Sequence, residues 1–233
     1  LTALLAGARD EKLILTDGVF SMDGDVAPLP ALLEAARRHD AWLLLDDAHG
    51  LGVLGAHGRG TFEHFGLPVA APAILMGTLG KALGTFGAFV AGTDDLVETL
   101  IQHARTYIYT TALPPAVAEA TRASLRVLRA DDGRRAALHA RIRQFRDGAR
   151  QLGLTLPASD TAIQPVILGA PGRALAASEA LRARGLWVSA IRPPTVPRDT
   201  ARLRITLSAG HTPQQVERLL DALAHLPPAE VEA

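Results

Sequence analysis

Short apolar runs with polar ends alternate with segments of helical spacing in the first half of this chain, and this alternation constrains the fold most. Residues Lys12–Asp17, 41–47 and Ala73–Thr78 each have the composition of a buried strand. Apolar residues of 29–36 recur at helical spacing, and 87–92 predicts a further strand. Strands separated by helices predict an α/β fold with a mostly parallel sheet, whose chemistry gathers beyond the carboxyl ends of the strands.

The composition changes after residue 114. Residues 115–153 are rich in alanine and arginine and predict a long, interrupted helical stretch. From about residue 155 onward the pattern predicts strand, helix, strand, strand and helix. We therefore expect a large domain over 1–112, followed by a linking helix and a small α/β domain over 113–233.

The bulk composition excludes several classes of protein. The 24 basic and 24 acidic residues cancel, so no net field attracts nucleic acid or an acidic membrane. Cysteine is absent, which excludes disulfides, thiolate metal sites and thiol nucleophiles. We find no signal peptide, and no apolar run approaches the roughly 20 residues of a membrane span. A cytoplasmic protein is expected.

Lysine is nearly absent, and one of the two lysines lies in an unusual place. The 24 basic residues comprise Lys12, Lys81 and 22 arginines. A solvated role at the start of a strand explains Lys12. Lys81 lies in the glycine-flanked stretch 76–84, where a flat ring can approach the backbone and where burial would favour a Schiff-base lysine. Leu75 and Ala82 exclude a P-loop, and a lysine paired with a surface carboxylate stays the alternative.

An acidic turn closes the strand 41–47. A carboxylate of the pair Asp46 and Asp47 would be partly buried there and would need a cationic partner, and the protonated pyridine nitrogen of pyridoxal phosphate (PLP) is one. His49 can hydrogen-bond the phenolic oxygen of that ring or a substrate carbonyl, and Thr78 can offer its hydroxyl to a phosphate oxygen. A cap or turn role for the acidic residues and a metal site are the alternatives, although no second ligand motif accompanies them.

Two further polar segments are candidates for chemistry. The loop 16–25 is rich in Gly and Asp, which is typical of a turn, and Ser21 within it lacks the surroundings of a nucleophile elbow. Alternation over 201–207 places Arg202 and Arg204 on one face of a strand. An arginine there can hold a substrate carboxylate with two hydrogen bonds, whereas an ordinary surface role explains Arg202.

Five stretches of the chain together resemble the α-oxoamine synthases, a family of the fold-type-I PLP enzymes. The matching stretches are 16–29, 46–60, 77–84, 107–115 and 190–211, in the family's order and spacing. The resemblance implies the aspartate-aminotransferase-like fold. Residues 1–112 would then be the C-terminal part of the PLP-binding large domain, and 113–233 would hold the small C-terminal domain.

The resemblance also implies catalytic roles and contacts to the cofactor ring. Lys81 matches the Schiff-base lysine, which also serves as the catalytic base. Asp46 matches the partner of the pyridine nitrogen. His49 and Ser21 match residues near the phenolic oxygen, and His49 is also expected to take part in catalysis.

The remaining implied contacts concern phosphate and substrate. Thr78 matches a phosphate contact, and Thr110 and Thr111 match residues that reach the phosphate of the partner subunit's cofactor. A homodimer with shared active sites is therefore expected. The residues that match substrate-binding positions are Arg204, Arg192 and Thr195.

The activity implied by the resemblance is a PLP-dependent acyl transfer with decarboxylation. Stretches 46–50 and 192–197 favour members that join L-alanine to pimeloyl-CoA or a pimeloyl carrier protein in biotin biosynthesis, over glycine C-acetyltransferase. A non-catalytic partner subunit is the alternative of a different class, although such proteins usually lose the lysine that Lys81 matches. The family's upstream phosphate segment and ring-stacking residue are absent and the chain begins with Leu1, so we expect an N-terminal part to be missing.

Overall fold

The computed structural model describes residues 1–8 and 10–226. The chain divides into two compact units. Unit 1 comprises Leu1–Phe20 and Val26–Asp132. Unit 2 comprises the short segment Ser21–Asp25 together with everything after Asp132.

This division differs in detail from the domains expected from the sequence. The long helix that starts at Pro115 belongs to unit 1, and five residues of the first half belong to unit 2. The domain boundary after residue 112 stays a prediction. The end of the expected small domain, 227–233, lies outside the described residues.

Unit 1 is built on a four-stranded sheet. Its strands are β1 (Lys12–Asp17), β2 (Ala41–Asp46), β3 (Ala73–Thr78) and β4 (Ala88–Ala91), in the order β1-β2-β3-β4. The first three are parallel, and β4 runs antiparallel to β3. The mostly parallel sheet is therefore confirmed, and each predicted strand agrees with the structure to within one residue at either end.

Six helices lie in the described part of unit 1. They are α1 (Thr2–Gly7), α2 (Leu29–Arg38), α3 (Thr61–His64), α4 (Asp94–His103), α5 (Arg105–Ile108) and α6 (Pro115–Ala130). The side chain of Thr93 caps α4 by accepting the Leu96 N–H at 3.3 Å, as its residue type predicts. None of the described helices is long and apolar enough to cross a membrane.

The two faces of the sheet have different surroundings. Side chains alternate between the faces along each strand, and one face packs against α2 in a core that includes Ile14, Leu43, Leu45, Leu75, Leu29 and Leu33. The opposite face leaves large apolar side chains exposed, namely Leu13, Leu15, Trp42 and Val90. Asp17 and Asp46 end β1 and β2 on this second face, which we call the open face.

Unit 2 combines helices with an antiparallel sheet. After α7 (Asp132–Gln151) come β5 (Ile163–Gly169), α8 (Pro171–Ala183), β6 (Ser189–Ile191), β7 (Ala201–Thr206) and α9 (Pro213–Ala224). The sheet order is β5-β7-β6. A capping box between Thr212 and Gln215 starts α9. The predicted order of strand, helix, strand, strand and helix is confirmed.

Candidate active site

Polar side chains collect where the parallel strands of unit 1 end on the open face. The register pairs Asp17 with Asp46, and Asp46 with Met76 of β3. Paired residues of neighbouring strands point to the same face, and so do residues two apart in one strand. Thr78 therefore shares this face with the two carboxylates. The strand ends of this sheet thus carry the polar groups that an α/β site requires.

Asp46 and Asp47 differ in their surroundings. Asp46 is half-buried, and its Oδ1 accepts the backbone N–H of Ala48 at 2.9 Å. Asp47 is fully buried, and its two oxygens accept the backbone N–H of Thr61 at 2.7 Å and the Thr61 hydroxyl at 2.6 Å. Burial and the nearby charge of Asp46 raise the pKa of Asp47 against the opposing effect of these hydrogen bonds. Asp46 is therefore the carboxylate available to a ligand.

Asp17 belongs to the same group, although we predicted no role for it from the sequence. Burial raises the pKa of the Asp17 carboxyl, the negative charge of Asp46 raises it further, and the charge of Lys81 opposes both. The three side chains thus lie within electrostatic range of one another. Its position in the sequence could have indicated a role at the site, because Asp17 ends the strand that precedes the strand ending in Asp46.

Lys81 lies in the turn that follows β3. The turn is closed by the Gly84 N–H, which donates to the Lys81 carbonyl at 2.9 Å, and by the Thr85 N–H, which donates to the Leu79 carbonyl at 2.8 Å. Helix α6 supports it, because the Ser124 hydroxyl donates to the Leu83 carbonyl at 2.7 Å. The position of Lys81 is therefore fixed by backbone contacts on both sides.

The environment of the Lys81 side chain differs from the expected one. We expected Lys81 to be buried. It is exposed in this structure, so that expectation is wrong for the described chain. Among the described residues, its amine forms no hydrogen bond or ion pair, whereas Lys12 donates to the His39 carbonyl at 2.8 Å. The alternative of a lysine paired with a surface carboxylate is therefore not what the structure contains.

Thr78 contributes an unsatisfied hydroxyl. Its Oγ1 is buried and has no hydrogen-bond partner among the described residues. Leaving such a group unpaired costs about 1–3 kcal/mol, so a ligand oxygen at this place would be stabilised. A phosphate oxygen is a suitable acceptor for this hydroxyl.

The other residues predicted for unit 1 lie in turns and loops. His49 is half-buried in the turn after β2. Thr110 and Thr111 follow α5 and are exposed, and the Thr110 hydroxyl donates to the Thr106 carbonyl. The role of these threonines toward a partner subunit stays a prediction. No group of three His, Asp or Glu side chains suited to a metal ion occurs within residues 1–8 and 10–226.

Unit 2 brings Ser21 and Arg204 together. Arg204 Nε donates to the Ser21 carbonyl at 2.7 Å, and its Nη1 donates to the Thr206 hydroxyl at 3.1 Å. Burial lowers the pKa of Arg204, and the guanidinium forms no ion pair with any described residue. Its Nη2 donors form no hydrogen bond with any described residue, so a carboxylate ligand could accept hydrogen bonds from them.

The surface role expected for Arg202 is also wrong. We expected an ordinary surface arginine, but Arg202 is only 3% exposed. Its guanidinium forms an ion pair with Asp23 and donates to the Met22 carbonyl at 3.2 Å. Arg192 and Thr195 are instead exposed, in the turn after β6, where the Thr195 N–H donates to the Arg192 carbonyl at 3.0 Å.

The predicted site residues thus fall into two groups. Unit 1 holds Lys81, Asp46, His49, Thr78, Thr110 and Thr111. Unit 2 holds Ser21, Arg192, Thr195 and Arg204.

The family model of aminotransferase class I and II matches residues 1–223. The chain belongs to this family. Among curated proteins, it is 61% identical over 231 residues to the 8-amino-7-oxononanoate synthase of Methylococcus capsulatus, a match that covers 99% of this chain and 60% of that protein. The chain therefore spans about three fifths of the length of the curated relatives that it matches.

Solved structures agree with the expected fold. A serine palmitoyltransferase variant from S. paucimobilis, solved with bound PLP and myriocin, matches with a TM-score of 0.90 and 33% identity over 96% of this chain and 57% of its own. The 8-amino-7-oxononanoate synthase of Francisella tularensis matches with a TM-score of 0.83 and 32% identity over 96% of this chain and 65% of its own. The predicted fold-type-I architecture is confirmed.

Proposed function

We propose that this chain forms the lysine-bearing part of a PLP-dependent acyltransferase that condenses L-alanine with a pimeloyl thioester, releases carbon dioxide and yields 8-amino-7-oxononanoate for biotin biosynthesis. The observation that carries the proposal is the group formed by Lys81, Asp46 and Thr78 at one sheet edge. The 61% identity to a curated 8-amino-7-oxononanoate synthase supports the particular reaction.

The residues at this edge fit PLP. The orphaned hydroxyl of Thr78 suits a phosphate oxygen, and Asp46, held by the Ala48 N–H, suits a protonated pyridine nitrogen. The Lys81 amine, without an ion pair among the described residues, suits the cofactor aldehyde. When bound, PLP supplies an electron sink for the carbanion at the substrate Cα.

The side chains of unit 1 would have distinct roles in the reaction. The Lys81 amine would hold the cofactor at its aldehyde and would also take up the Cα proton of alanine. Asp46 keeps the ring nitrogen protonated. His49 donates a hydrogen bond to the thioester carbonyl as negative charge develops on its oxygen. The freed thiol of CoA or of a carrier protein leaves.

The side chains of unit 2 would bind the amino acid. The unused Nη2 donors of Arg204 hold the alanine carboxylate. Arg192 and Thr195, exposed in the turn after β6, are further substrate contacts. Ser21 contributes a hydroxyl near the phenolic oxygen of the cofactor ring.

A homodimer with shared sites belongs to the same proposal. Thr110 and Thr111 are exposed after α5, as residues that reach a partner subunit's cofactor would be. A cytoplasmic location stays a prediction.

Substrate assays test the proposal against its nearest alternatives. The native protein, as its host produces it, should release carbon dioxide with L-alanine and a pimeloyl thioester. With glycine and acetyl-CoA, the substrates of glycine C-acetyltransferase, turnover should be at least about a hundredfold slower. Preference for glycine would reassign the reaction, and lack of turnover with every pair would favour a non-catalytic subunit.

A further inference from the structure

The segment Ser21–Asp25 belongs to unit 2 and contacts strand β7 of the same unit. Arg202 makes the strongest attachment, through its ion pair with Asp23 and its hydrogen bond to the Met22 carbonyl at 3.2 Å. The Arg202 side chain is buried, whereas that of Asp23 is 48% exposed. The Nε of Arg202 donates to the Thr200 carbonyl at 3.0 Å, which fixes the guanidinium plane.

A second set of contacts restrains the backbone of the same segment. The buried Thr161 hydroxyl donates to the Gly24 carbonyl at 3.1 Å. Gly24 has a φ of +73°, and a Cβ there would lie 2.5 Å from both the Ile163 carbonyl oxygen and the Ser159 hydroxyl. Backbone and side chains of unit 2 therefore enclose the segment closely at its centre.

Arg204 shares this segment with Arg202. The two arginines lie two residues apart on β7 and point to the same face. Arg202 binds Asp23, and Arg204 Nε binds the carbonyl of Ser21, two residues earlier. The Ser21 carbonyl in the segment and the Thr206 hydroxyl on β7 together orient the Arg204 guanidinium.

We propose that Arg202 is a positioning residue, which through Asp23 fixes the segment so that the Ser21 carbonyl aligns Arg204 for the carboxylate of the amino-acid substrate. This inference rests on the proposed role of Arg204. The ion pair of the buried Arg202 with Asp23 would thus set how precisely the substrate carboxylate is bound, since a carboxylate held by two hydrogen bonds tolerates little rotation of the guanidinium.

Asp23 is the better residue to change, because its side chain is 48% exposed whereas that of Arg202 is 4% exposed. Asp23→Asn removes the charge partner of Arg202, and Asp23→Glu retains it. Asp25→Asn is the matched control, because Asp25 is exposed in the same segment. The dissociation constant for L-alanine is measured in the PLP-bound native protein from the change in visible absorbance, alongside the PLP affinity and the KM for the thioester.

We expect Asp23→Asn to weaken alanine binding about tenfold, as the loss of alignment at one charged hydrogen bond implies. The PLP affinity and the thioester KM should stay within about twofold. Asp23→Glu should restore most of the alanine affinity, and Asp25→Asn should leave every value unchanged. An alanine affinity equal to wild type in Asp23→Asn, or an equal loss in Asp25→Asn, would overturn the inference.

Failure of the proposed reaction gives a different result. If the wild-type protein responds to glycine and not to alanine, the reaction is reassigned, and the same variants are compared with glycine. The comparison keeps its meaning because every α-amino acid carries the carboxylate that Arg204 would hold.

Discussion

Asp46 and Asp47 are neighbours in the sequence, yet the fold surrounds their carboxylates in opposite ways. Asp46 ends β2 on the open face and uses Oδ1 to accept one backbone N–H. Asp47 is fully buried and accepts two hydrogen bonds from Thr61. A Cβ would lie 2.0 to 2.6 Å from a carboxylate oxygen of Asp47 at each of three glycines, Gly18, Gly50 and Gly60. The Asp47 carboxylate therefore stabilises the packing of the turn, and the Asp46 carboxylate is available to a ligand.

The largest effect should come from removing the buried carboxylate. Asp47→Ala leaves the N–H and the hydroxyl of Thr61 without acceptors in a buried place, at about 1–3 kcal/mol each. We expect the free energy of unfolding in urea to fall by about 3 kcal/mol. Asp46→Ala is the matched control and should cost about 1 kcal/mol, the worth of one hydrogen bond. Equal losses in the two variants would contradict the structural role of Asp47.

A somewhat smaller effect should follow from filling the space beside Asp47. A Cβ at Gly50 would lie 2.0 Å from Asp47 Oδ1, so Gly50→Ala should cost about 2 kcal/mol through overpacking. Gly172→Ala is the control, because a Cβ there meets nothing within 4 Å. The cost of Gly50→Ala should shrink in an Asp47→Ala background, as a double-mutant cycle of unfolding free energies would measure. If the losses in unfolding free energy of the two single variants simply added in the double variant, a clash between residue 50 and the Asp47 carboxylate would be excluded.

The smallest effect concerns pH. Burial raises the pKa of Asp47 above its ordinary value of 3.8, so the folded protein holds this proton more tightly than the unfolded chain. As the pH rises from 3.8 to the raised pKa of Asp47, the free energy of unfolding decreases. The decrease is about 1.4 kcal/mol for each pH unit between these two values. Asp17 acts in the same direction.

The variant Asp47→Asn has no proton to lose at this place. Urea unfolding across the window should therefore show a shallower decline in stability with rising pH than in wild type. Wild-type stability that rises with pH relative to Asp47→Asn would show that the carboxylate is stabilised in its charged form instead.

The strands of unit 1 could be predicted from the sequence because their signals are local. The apolar run Lys12–Asp17 and the run Ala73–Thr78 agree with β1 and β3 residue for residue. The direction of β4 could not be predicted, since its composition is the same whether the strand runs parallel or antiparallel. The turn that carries Lys81 lies after β3, as its glycines indicated, but their spacing does not determine how exposed the lysine is.

The partners of buried polar residues escaped prediction because they lie far away in the chain. Arg202 is followed by alternating apolar residues, as a surface arginine would be, and its partner Asp23 lies 179 residues earlier. Asp47 depends on Thr61, 14 residues later, and on close approach of glycines from separate loops. Resemblance to a family singled out Asp46 rather than Asp47, and in the structure Asp46 is the less buried of the two carboxylates.

The central claim is that Lys81 is the attachment point of PLP, and one measurement tests it directly. The native protein is loaded with PLP, reduced with borohydride, digested and examined by mass spectrometry. The chain offers its own control, because Lys12 is its only other lysine and already binds the His39 carbonyl. We predict a pyridoxyl group on the peptide that contains Lys81 and none on the peptide that contains Lys12. A modified Lys12, or a PLP–protein bond that borohydride still fixes covalently in Lys81→Arg, would contradict the account.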